Sequence, residues 1–101
     1  MQERRRLAFA GSVFVSVVLD AKGQVRGDPQ VVLMGLPEED SHGVLFEDRA
    51  YDAIDEALGR LPLKRRGDDD AVAEFLRRAV RGALRREWGK KAQVAVAVTR
   101  I

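Results

Sequence analysis

The sequence predicts an α+β domain of element order β-β-α-α-β, a three-stranded sheet packed on one face by two helices. Three observations carry that prediction. A valine-rich segment near the start alternates at period two, and the middle of the chain switches twice to three- and four-residue apolar spacing. The final residues then return to period two. At 101 residues the chain has the size of one ordinary domain, so residues 1–101 are read as a single unit.

The first strand covers Gly11 to Asp20. Val13, Val15, Val17 and Leu19 fall on one face, and Ser12, Phe14, Ser16, Val18 and Asp20 on the other. Asp20-Ala21-Lys22-Gly23 is then a turn, with Gly23 free to take the positive φ that closes a short loop. Gln24 to Met34 reads as the partner strand. Pro29 cannot donate a ladder hydrogen bond, so this strand is interrupted there or lies at an edge. Gly35-Leu36-Pro37 ends it, and residues 37–46 read as a loop.

From Glu47 the spacing is helical, with Ala50, Ile54, Ala57, Leu58 and Leu61 on one side. Glu47 and Asp48 suit the positive end of the helix dipole, and Gly59 and Pro62 mark the expected stop. Leu63 to Gly67 is a basic connector. Asp68 is the N-cap candidate for the second helix. That helix carries the apolar stripe Val72, Phe75, Leu76, Ala79, Val80, Ala83, Leu84 and Trp88, with Arg77, Arg78, Arg81 and Arg85 opposite. Gly89 terminates it. Gln93 to Ile101 forms the last strand, with Val94, Val96 and Val98 on one face. If the two helices run antiparallel, this strand runs in the direction of the first.

One sheet face is expected to pack on the helices. The other is less polar than a solvated face should be, because Phe14, Val18, Ala95, Ala97 and Ile101 point that way. Such a face is expected to bury itself against something outside these residues.

Charge is unevenly placed. Residues 1–59 hold 6 Lys/Arg against 11 Asp/Glu, whereas residues 60–101 hold 12 against 5, so the net +2 hides a basic second half. Lys64, Arg65 and Arg66 in the connector, and the i, i+4, i+8 row Arg77, Arg81, Arg85, are candidate phosphate contacts for RNA or DNA. A solvated helix face, compensated in part by Glu74 and Arg78, explains the same row, and no aromatic is interleaved as a base-stacking platform needs.

The absence of cysteine excludes disulfides, thiol nucleophiles and thiolate metal sites. The lone histidine, His42, in an acidic loop reads first as a solvated side chain, with a Glu/Asp/His42 metal site as the minor alternative, and Ser41 beside it is not oriented as a nucleophile by adjacency alone. No phosphate-cradling glycine loop is present. No apolar run approaches the roughly 18–20 residues of a membrane span, and the N-terminus lacks a secretory pattern. A soluble cytoplasmic protein without catalytic machinery is the expectation.

The order of pieces resembles a known family. Arg4-Arg5-Arg6-Leu7-Ala8-Phe9-Ala10-Gly11 leads into the valine strand. The turn Asp20 to Gly23, Asp28-Pro29-Gln30-Val31 and Gly35 follow, then the helices, Trp88-Gly89-Lys90-Lys91 and the last strand. Together these resemble the C-terminal domain of ribonuclease J, particularly the α-proteobacterial type, from about Arg4 to Ile101. Residues 1–10 would be the end of a linker. Ala92 departs from the pattern, since family members often place proline there.

The resemblance implies a parent ribonuclease built of metallo-β-lactamase and β-CASP domains, a linker and this module, acting on RNA as a 5′-to-3′ exonuclease and endonuclease. Its zinc ligands lie in a His-x-His-x-Asp-His motif of the N-terminal domains, which this chain lacks. No catalytic residue, cofactor or metal is therefore expected here. The family domain is associated with oligomerisation and full activity, so the expected partners are a second copy and the parent's other domains. The expected interface is Phe14, Val18, Ala95, Ala97 and Ile101. RNA tethering through the basic residues is the alternative.

Overall fold

The computed structural model describes residues 11–101, so the expected end of the linker, residues 1–10, lies outside the described residues. The strands are β1 (Gly11–Leu19), β2 (Gln30–Met34) and β3 (Ala92–Arg100). Between β2 and β3 come α1 (Phe46–Arg60), a 3-10 turn (Leu63–Arg65) and α2 (Asp69–Trp88). The α+β class and the β-β-α-α-β order stand as expected. The sheet order is β2-β1-β3, with β1 antiparallel to β2 and parallel to β3.

The turn after β1 is built by Asp20. Its carboxylate accepts from the N–H groups of Lys22 and Gln24, both at 2.9 Å. Gly23 closes the turn at φ 83°, with its N–H on the Asp20 carbonyl. The second strand is shorter than expected. Residues 24–29 keep only a bridge from Val25 to Leu19, and the ladder resumes at Gln30, after Pro29.

Helix α1 starts at Phe46, one residue before the expected Glu47, and that ring is fully buried. Its end is set by Pro62, which holds Leu61 extended; Gly59 lies inside the helix and is not the stop. Both ends of α2 follow expectation. The Asp68 carboxylate accepts from the N–H groups of Asp70 and Ala71, and Gly89 caps the other end at φ 76°.

The core lies between the sheet and the helices. Val13, Val15, Val17 and Leu19 of β1 meet Phe46, Ala50, Ile54 and Ala57 of α1 and Val72, Leu76, Val80 and Leu84 of α2. Each of the larger side chains contributes about 1.5–3 kcal/mol by leaving water. Burial is uneven across the sheet. Ala92 and Val94 of β3 are buried, whereas Val96 and Val98 remain half-exposed, with β1 on one side and, among the described residues, no strand on the other.

Candidate functional site

The sheet face turned away from the helices is the first candidate. The register places Phe14 between Val32 of β2 and Ala95 of β3, and Ser16 between Gln30 and Ala97. Met34 lies beside Ser12. Phe14, Val32 and Met34 are 52%, 55% and 59% exposed. A shallow depression of about 240 Å³ runs among Phe14, Gln30, Val32, Ala95 and Ala97.

Of the expected interface residues, Phe14, Ala95 and Ala97 are brought together. Val18 is half-buried beside Thr99, and Ile101 is exposed beyond the end of β3. Val32 and Met34 complete the patch and were missed from sequence. The alternation of Gln30, Val32 and Met34 against the inward Val31 was the available signal. It had no register until the ladder from β1 supplied one.

The basic residues separate into two groups. Lys64 and Arg65 stand exposed in the 3-10 turn, and Arg85 is exposed on α2. Among the described residues no ion pair involves Lys64, Arg65, Arg81 or Arg85. Arg66 is different. Its guanidinium is half-buried and donates to the carbonyl oxygens of Leu58 at 2.6 Å and Gly23 at 3.2 Å. Arg77 forms a two-pronged contact with Glu74, at 2.9 and 2.6 Å, and Arg78 joins the same carboxylate. These bonds, first Arg77 and then Arg78, draw the Glu74 carboxyl down to about 2.

The third candidate is a cluster of Asp40, His42 and Glu87 whose ligating atoms lie within 4.8 Å of one another. Asp40 is already engaged. It accepts from the N–H groups of His42 and Val44 through one oxygen and from the Arg49 guanidinium through the other. Burial raises the Asp40 pKa, but these hydrogen bonds and the adjacent charge outweigh it, and the net shift is downward. Arg49 also approaches Glu87 at 3.5 Å. A cation already holds these carboxylates, and one imidazole does not supply a hydrolytic zinc set. The arrangement fastens the 38–45 loop to both helices.

Comparison with known proteins decides the family. A family model described as the Ribonuclease J C-terminal domain matches residues 1–101. The chain belongs to that family. A curated relative named Ribonuclease J, from Sinorhizobium meliloti (strain Sm2011 / Rm2011 / 2011), is 48% identical over 99 residues. The match covers 98% of this chain and 18% of the relative, so the chain corresponds to a small part of that ribonuclease J. That relative supports the α-proteobacterial type of the domain. Ala92 is buried and opens β3 opposite Gly11. Among the described residues no helix is long and apolar enough to cross a membrane.

Proposed function

We propose that this chain is a non-catalytic module of a ribonuclease J that holds copies of the parent enzyme together and so supports its full RNA-degrading activity in the cytoplasm. The observation that carries the reading is the open sheet face, where Phe14, Val32 and Met34 stand more than half exposed beside Ala95 and Ala97. Apolar surface of this kind is favourable to bury, and a contiguous patch marks an interaction site. Zinc-dependent hydrolysis is assigned to the parent's other domains. The partners are a second copy and those domains.

Sedimentation of the chain tests this, comparing wild type with a Phe14→Asp, Val32→Asp double variant. The two residues face each other across the β1–β2 ladder, so two charges there oppose any apolar contact. Wild type is expected to form concentration-dependent assemblies and the variant smaller ones. Equal sedimentation of the two overturns the reading.

A second reading, tethering of RNA, is favoured by Lys64, Arg65 and Arg85, whose charges are exposed. It requires RNA affinity that falls steeply with salt and weakens when these three become glutamate. No retardation of RNA at low salt removes it.

A further inference from the structure

We propose a second self-association contact in this domain, distinct from the open face: the outer edge of β3 pairs antiparallel with β3 of another copy, about a two-fold axis through Val96. The inference rests on the self-association reading and adds how a second pair of copies would meet.

The starting point is where the backbone of β3 points. The Ile101 N–H donates to the Leu19 carbonyl at 3.0 Å. Residues of the same parity as Ile101 therefore turn their N–H and C=O groups toward β1. Ala92, Val94, Val96, Val98 and Arg100 turn theirs the other way. Among the described residues β3 pairs with β1 alone, so within them those groups have no strand partner.

The two edges of the sheet are treated differently. Strand β2 is five residues long, preceded by Pro29 and followed by Gly35, which limits what can pair with it. Strand β3 runs for nine residues, and from Gln93 to Thr99 it carries no charge, proline or glycine. Natural edge strands are usually blunted by such residues. Among the described residues nothing pairs with this edge, and its inward valines, Val96 and Val98, are only half-buried.

The sequence of β3 says what fits. Antiparallel pairing centred on Val96 sets Val96 against itself, Val94 against Val98, Ala95 against Ala97, Gln93 against Thr99 and Ala92 against Arg100. From Val94 to Val98 each residue meets its own kind, and Gln93 meets Thr99, polar against polar. Every outward N–H and C=O of one strand meets its counterpart on the other, because the paired core-side residues are the ones that point outward. No cation faces a cation across this register, and Arg100 is already paired with Asp69. The result is a continuous six-stranded sheet with both open faces on one side. The face contact and the edge contact then use different surfaces, so together they can close a symmetric assembly larger than a dimer.

Disulfide trapping tests the edge, and the native chain has no cysteine to confuse it. Ala95→Cys and Ala97→Cys are introduced separately into the Phe14→Asp, Val32→Asp background, one protein carrying a size tag. In the proposed register these positions are a non-hydrogen-bonded pair with Cα atoms about 4.5 Å apart, within disulfide range. The expected result is a linked heterodimer in the mixture, in large excess over the homodimers formed by either protein alone. Val96→Pro, which removes an outward N–H and no bond to β1, is expected to abolish that link while circular dichroism and thermal unfolding stay native-like. Absence of the selective heterodimer, with wild type still assembling, overturns the edge contact and leaves the open-face reading standing. A monomeric wild type at all concentrations overturns both.

Discussion

The Arg66 guanidinium donates to the carbonyl oxygen of Gly23, 43 residues earlier in the chain, and to that of Leu58 near the end of α1. A residue that reads from sequence as a candidate phosphate contact serves in the fold as a clamp. It ties the turn before α2 to the tip of the β1–β2 connection. Arg100 reinforces the same junction, donating to the Asp20 and Arg66 carbonyls and pairing with Asp69.

Arg66→Ala should therefore destabilise the fold by about 1–3 kcal/mol, the cost of leaving half-buried carbonyls without their donor. Denaturant unfolding measures it. Arg65→Ala, one residue earlier and exposed, should change stability by less than about 0.5 kcal/mol. Equal effects at the two positions would contradict the clamp.

Gly23 is constrained from the other side of the same contact. It sits at φ 83°, and a Cβ there would collide with the Cβ of Arg66. Gly23→Ala is expected to cost about 1–3 kcal/mol, combining strain with displacement of the clamp. Gly27 also has positive φ but open space around it, so Gly27→Ala should cost less. Thermal unfolding of the two variants ranks them.

Acid should weaken the domain in a defined window. The carboxyls of Asp20, Asp40 and Glu74 are all held below their ordinary values in the folded chain. A lowered folded pKa stabilises at pH above the unfolded value and is lost as pH falls through the folded one. Glu74, drawn from 4.5 to about 2 by Arg77 and Arg78, loses its contribution between those limits. The unfolding midpoint should therefore fall on acidification from neutral pH, and Glu74→Gln should make that fall shallower.

The core prediction is the simplest. Leu76 is fully buried on α2 against the sheet, and Leu76→Ala should cost about 2–5 kcal/mol by leaving a cavity. Phe14→Ser on the open face removes a side chain that is 52% exposed and should cost the isolated fold far less. Phe14→Ser should instead reduce self-association, read by sedimentation at matched concentrations.

Local physics was legible in the residues themselves. Period-two valines, three- and four-residue apolar spacing, the Asp68 cap and the left-handed Gly89 each depend on neighbours within one turn or one strand, so they could be read in order along the chain. The apolar character of the outer face was visible for β1 and β3 for the same reason. Tertiary structure decided what depends on residues far apart. Only the β1–β2 register brought Val32 and Met34 beside Phe14. Only the packing of the helix connection onto the Asp20 turn converted Arg66 from a surface charge into a half-buried donor, because a guanidinium is captured by whichever carbonyls the fold leaves unpaired. The direction of β3 followed in the sequence only on a condition about the helices, and its place at the edge beside β1 was decided by where the helix pair returns the chain, a matter of packing that no local spacing encodes.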